Sequence, residues 1–120
     1  MKLLSAISAG IALAGCVNGI DCSTSLHLIV SRGSTEAGLI GRIGTVSNGT
    51  LALVPGSPVE GVDYPATLSN YTISQGTGVD NLRAAVGAYS TACPDTKIAL
   101  LGYSQVSSAG EGSWRQNEQD

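Results

Sequence analysis

The run Ile98-Ala99-Leu100-Leu101, which closes on Gly102, limits the fold more than any other feature of the chain. Four consecutive apolar residues without alternation suit a strand covered on both faces, and the run is too short for a helix. Leu26-His27-Leu28-Ile29-Val30 is a second run of this kind, flanked by serines and followed by Arg32-Gly33-Ser34. Val59 to Tyr64 alternates apolar and polar residues, which reads as a third strand, stopped by Pro65. Residues 37–53 have the apolar content of an amphipathic helix, but Gly38, Gly41, Gly44 and Gly49 weaken it, and Pro55-Gly56-Ser57-Pro58 breaks the chain. The polar stretch Ser69 to Thr77 predicts a surface loop. Val79, Leu82, Val86 and Tyr89, at steps of three, four and three, predict a helix over about 79–91. Strand, helix, strand, helix, strand is the start of a doubly wound α/β layer with a mostly parallel sheet. Ligands of such sheets bind beyond the carboxyl ends of the strands, so the loops at 31–36 and 103–105 point to one place.

Composition bounds what that place can do. Hydrophobic residues make up 42% of the 120 and charged residues 12%, as in a packed domain. Phe is absent and Gly numbers 16, so the core rests on small and branched side chains. The net charge of -3, with no basic cluster, leaves no phosphate-neutralising surface and argues against nucleic acid as a partner.

Lys2 followed by the mostly apolar stretch Leu3 to Ala14 reads as a secretory signal over residues 1–19, too short to span a membrane. Leu13-Ala14-Gly15-Cys16 also matches a lipoprotein cleavage box, so removal and lipidation of Cys16 stand as alternatives. Removal leaves an even pair, Cys22 and Cys93. A bridge between them would close a loop of about 72 residues, worth roughly 4 kcal/mol; two unpaired thiols are the other possibility. Asn48-Gly49-Thr50 and Asn70-Tyr71-Thr72 are N-glycosylation sequons, consistent with secretion.

Gly102-Tyr103-Ser104-Gln105 follows the best strand directly and resembles the opening of the Gly-x-Ser-x-Gly nucleophile elbow of serine esterases. The turn is so sharp that Ser takes a strained backbone conformation, and its neighbours two before and two after must be small. Gly102 meets the first demand. Ser104 is then the candidate nucleophile. The backbone N–H of Gln105 and the Ser34 loop are the candidate donors to an oxyanion.

Four motifs occur in the order found in the cutinase and acetylxylan esterase family: Arg32-Gly33-Ser34-Thr35-Glu36, Val62-Asp63-Tyr64-Pro65-Ala66, Cys93-Pro94-Asp95-Thr96-Lys97-Ile98 and Gly102-Tyr103-Ser104-Gln105. The chain is similar to that family over about residues 20–105. The resemblance implies an α/β-hydrolase fold, here stopping after the nucleophile strand, and a secreted monomer. It implies cleavage of carboxylic esters without metal or cofactor, on a cutin-like polyester or an acetylated polysaccharide. Ser104 would be the nucleophile, Ser34 and the Gln105 N–H the oxyanion hole, and Cys22–Cys93 a disulfide.

The chain also departs from the family. Val106 stands where the second Gly of the elbow belongs, and a β-branched side chain is expected to clash there. Residues 106–120 show no helical periodicity and are expected to form a disordered tail outside the family domain. Val106-Ser107 is also what the opening bases of an intron encode in one frame, so intron read-through is an expected origin of that tail. No His follows Ser104, and the sole His, His27, sits in the first strand pattern as a structural residue. Without a base, serine is a weak nucleophile, so the chain is expected to be inactive by itself. A non-catalytic binding protein on the same layer is the alternative from another class.

Overall fold

The structure, a computed structural model, describes residues 16–17 and 19–106. Most of the expected targeting segment and the tail after Val106 lie outside the described residues, as does the Val106 side chain. β1 (Cys16–Val17) and β2 (Ile20–Asp21) pair antiparallel. The main sheet holds β3 (Leu26–Ser31), β4 (Val59–Gly61) and β5 (Lys97–Gly102) in the order β4-β3-β5, all parallel. A 3-10 turn (Gly41–Ile43) and α1 (Gly44–Leu53) connect β3 to β4, and α2 (Tyr71–Ala92) connects β4 to β5. The two connections leave toward opposite edges. Parallel crossovers are right-handed, so they place α1 and α2 on opposite faces of the sheet. The expected α/β class and doubly wound parallel sheet are present.

The uniform apolar pattern of β3 follows from its central position. Leu28, Ile29 and Val30 are each 0% exposed, and burial of such a side chain contributes about 1.5–3 kcal/mol. Ile29 faces α2, in a core with Val62, Tyr64, Ala66 and Leu82, against which Val79, Val86, Ile98 and Leu100 pack. Leu28 and Val30 point to the opposite face. β5 differs from expectation. Ile98 to Leu101 are only half-buried, because among the described residues β5 pairs on one side only, with β3.

A larger correction concerns 69–77. The stretch is not a surface loop beyond Asn70: α2 begins at Tyr71 and runs 22 residues. Its buried residues are Ser74, Gly78, Leu82 and Tyr89. The buried stripe continues through the first two turns, but small and polar residues carry it there. A count of apolar positions therefore starts the helix two turns late. The strand expected over 59–64 pairs only through Gly61, although Val62 and Tyr64 remain buried and Asp63 exposed.

Cys22 and Cys93 form a disulfide, with Cα atoms 5.4 Å apart across 71 positions. Two hydrogen bonds reinforce that end of the molecule. The Ser23 N–H donates to the Tyr89 hydroxyl at 2.9 Å, and the Thr96 hydroxyl donates to the Ser23 carbonyl at 2.8 Å.

Candidate active site

β3 and β5 are neighbours, and their carboxyl ends are in register at Ser31 and Gly102. The Tyr103 N–H donates to the Ser31 carbonyl at 3.1 Å, so pairing continues to the last residue before Ser104. Beyond this point the chain leaves β3 toward α1 and β5 into a 3-10 turn, Ser104–Val106. This is the switch point of a doubly wound sheet, where ligands bind.

Ser104 is exposed and has φ 59°, in the left-handed region. A non-glycine residue there stores about 1–3 kcal/mol, and such strain persists only where the surroundings enforce it. The backbone at Ser104 is thus left-handed, as a sharp turn after Gly102-Tyr103 requires. Gln105, by contrast, is 1% exposed.

The neighbouring loop is held from both sides. Glu36 folds back so that its Oε2 accepts the Gly33 N–H at 2.7 Å and its Oε1 accepts the Arg42 N–H at 3.1 Å. Arg32 is buried, with its guanidinium 4.9 Å from the centre of the Tyr64 ring. It donates to the carbonyls of Glu36, Val62 and Tyr64. Thr35, at φ 63°, donates its N–H to the Ala66 carbonyl at 2.7 Å. A Cβ on Gly33 would lie 2.7 Å from Cδ1 of Tyr103, so glycine lets that ring rest on the loop. Ser34 lines a cleft of about 640 Å³ together with Glu36, Arg42 and Tyr103. The structure therefore brings the Ser34 loop and the residue preceding Ser104 to one cleft.

His27 lies elsewhere. It precedes Ser31 by four strand residues, which is about 13 Å at the strand rise. Its ring stacks on Tyr89 at 3.7 Å, and Nε2 contacts Glu60 Oε2 at 2.8 Å. That is the structural role expected of it. Asn48 on α1 and Asn70 ahead of α2 are both exposed. Among the described residues no cluster of His, Cys, Asp or Glu is placed to hold a metal, and no helix is long and apolar enough to cross a membrane.

The sequence reading missed Thr67, Ser74 and Gln75, all hydrogen-bonded to Gln105. It also gave no role to Tyr64, whose hydroxyl donates to the Arg32 carbonyl at 2.5 Å. Burial pushes the Tyr64 phenol above 10.0, and the Arg32 charge offsets only part of that shift. The folded state thus favours the neutral phenol. Its contribution to stability is complete below about pH 10 and is lost as pH rises through the raised value. Urea unfolding between pH 8 and 11 is expected to show stability falling above pH 10. The wild type should lose more than Tyr64→Phe, and parallel losses in the two would remove Tyr64 as a cause.

The family model described as Cutinase matches residues 22–115, ten residues past Gln105. Acetylxylan esterase 2 of Talaromyces purpureogenus is 34% identical over 111 residues, covering 87% of this chain and 47% of that protein. Cutinase 11 of Verticillium dahliae is 36% identical over 110 residues, covering 86% and 37%. The chain therefore spans about half or less of the length of these relatives. Among solved structures, an iodinated complex of acetyl xylan esterase superposes with TM-score 0.70 at 34% identity, covering 76% of this chain and 47% of that one. The catalytic core domain of acetyl xylan esterase from Trichoderma reesei gives 0.70 at 28%, covering 77% and 48%. With a family match over most of its length and the parallel layer of those structures, this chain belongs to the cutinase family.

Proposed function

We propose that the chain carries the nucleophile half of a serine carboxylic-ester hydrolase. The observation that carries this reading is Ser104 at φ 59°, at the carboxyl end of β5 and beside the strand that leads to the Ser34 loop. A hydroxyl lifted from the sheet by such a turn can reach an ester carbonyl. In the proposed reaction Ser104 Oγ adds to that carbonyl, and the oxyanion accepts hydrogen bonds from the Gln105 N–H and from Ser34. The alcohol then leaves, and water releases the acid from the acyl-enzyme. No step needs a metal or cofactor. A purely binding protein would gain nothing from a strained serine at this edge, which weighs against the non-catalytic alternative.

Ser104 needs a base, and the 120 residues contain one His, placed about 13 Å along β3 from the strand's carboxyl end. The 120-residue polypeptide is therefore expected to hydrolyse p-nitrophenyl butyrate at the background rate. The test of the nucleophile is a fluorophosphonate probe applied to a form of the protein as long as its relatives. One probe per chain is expected on wild type and none on Ser104→Ala. Absence of labelling in wild type, or equal labelling of the variant, sinks the assignment.

The proposed substrates are short or medium acyl esters, as in a cutin-like polyester. Leu68, Tyr71 and Ile73 are exposed and flank the Thr67 and Ser74 contacts to Gln105, while Tyr103 is exposed in the cleft. These exposed apolar side chains would offer contacts to an aliphatic acyl chain. Deacetylation of a polysaccharide is the second reading, supported by the similarity to acetylxylan esterase 2. The protein is proposed to act as a secreted monomer, with Asn48 and Asn70 as glycosylation acceptors.

A further inference from the structure

We propose that Ser74 and Thr67 are positioning residues that aim the Gln105 N–H at the oxyanion site. The inference rests on the ester-hydrolase reading and assigns a task to side chains which that reading leaves unused.

Three hydrogen bonds among three residues close a ring. The Thr67 N–H donates to Ser74 Oγ at 3.1 Å. The Ser74 hydroxyl donates to Gln105 Oε1 at 2.8 Å. Gln105 Nε2 donates to the Thr67 carbonyl at 2.9 Å. Ser74 and Gln105 are each 1% exposed, so water does not compete. In a buried ring each bond polarises the next, and the loss of one member leaves two others unpaired. A fourth bond, from Gln75 Nε2 to the Gln105 carbonyl at 3.2 Å, fixes the peptide that follows.

The ring constrains more than a side chain. Gln105 follows Ser104, whose left-handed backbone persists only if its surroundings enforce it. The peptide between them carries the proposed oxyanion donor. The side-chain amide is bonded at both ends and the following carbonyl is held, so that N–H has little freedom to turn. Its direction is set by the first turn of α2 and by the loop ahead of it. An amide is required at position 105 because one end must accept from Ser74 while the other donates to Thr67.

The chemistry supplies its own control. In Gln105→Glu the ionised carboxylate faces the Thr67 carbonyl and cannot donate to it. The protonated acid can donate to Thr67 and accept from Ser74, which restores the ring. The test is ¹⁵N relaxation of the backbone N–H at position 105 in the 120-residue chain. The wild-type order parameter is expected near 0.85, the level of rigid backbone, and that of Ser74→Ala below about 0.6. Ser74→Thr, which keeps the hydroxyl, should return it to the wild-type level. Gln105→Glu should be mobile where its carboxyl is ionised and rigid where it is protonated, with the midpoint above the ordinary glutamate range because burial and the facing Thr67 carbonyl disfavour the charge. Unchanged order at 105 in Ser74→Ala overturns the proposal. So does a loss spread equally over α2 and β5, or a Gln105→Glu variant indifferent to pH. If Ser74→Ala fails to fold, the Gln105→Glu titration decides alone. Fluorophosphonate labelling of the longer form judges the esterase reading separately. A rigid, pH-switchable 105 without labelling would refute that reading, whereas labelling with a mobile 105 would refute the positioning role.

Discussion

Cys22→Ser is expected to lower the unfolding free energy by about 4 kcal/mol, close to the whole stability of a small domain. The disulfide joins positions 71 apart and encloses β3, α1, β4 and α2 in one loop. Cross-linking so long a loop removes conformational freedom chiefly from the unfolded chain. The native contacts beside it are short-range supplements: the Ser23 N–H to Tyr89, and Thr96 to the Ser23 carbonyl. The effect should therefore appear in the equilibrium and leave the sheet's contacts unchanged. Urea unfolding of Cys22→Ser, of Cys93→Ser and of the double variant is the measurement. All three should lose the same amount, since each removes the same bond. A loss below about 1 kcal/mol would mean that the unfolded chain is already compact enough to bring these ends together.

The disulfide was half legible. Counting cysteines left Cys22 and Cys93 as the even pair if Cys16 is removed, but two free thiols fitted the same count. Strand β3 was legible because a central parallel strand must be apolar on both faces, which leaves an unbroken run at Leu28 to Val30. The same logic overstated β5, whose equal run is half-buried at an edge. Sequence pattern reports what a strand can bury, and neighbours decide what it does bury. The later turns of α2 were legible from Val79, Leu82, Val86 and Tyr89. Its first two turns were not, since the residues buried there are Ser74 and Gly78. That failure also concealed the Thr67–Ser74–Gln105 ring. A polar residue signals a loop by composition, and only the fold tells that its hydroxyl points inward at a glutamine. The left-handed turn at Ser104 was legible from Gly102-Tyr103-Ser104, because turn chemistry is local and its signature is a spacing.

Arg32→Met is expected to cost about 3 kcal/mol or more and to release the loop that carries Ser34. Arg32 is 8% exposed, and among the described residues no carboxylate forms an ion pair with it. Its charge is compensated by three carbonyl oxygens and the face of Tyr64. Nε serves Glu36 at 3.1 Å, Nη1 serves Val62 at 3.4 Å and Nη2 serves Tyr64 at 2.5 Å. The planar fork therefore ties the loop after β3 to the segment after β4 at two points, Val62 and Tyr64, and braces that loop on itself at Glu36. Methionine fills part of the volume and leaves the buried Val62 and Tyr64 carbonyls without a donor, and each unsatisfied buried group costs about 1–3 kcal/mol. Lysine keeps the charge but offers one compact ammonium in place of a fork, so Arg32→Lys should also be clearly destabilised. Thr35 bears on the same point, because its left-handed backbone and its bond to Ala66 need the two segments in register. Arg32→Met should consequently lose order at Thr35 and Ser34 before the sheet unfolds, visible as amide exchange faster there than in the wild type while exchange in β3 is little changed. Stability within about 1 kcal/mol of wild type, with the loop still protected, would show that Glu36 and its two backbone N–H contacts hold the Ser34 loop without the guanidinium.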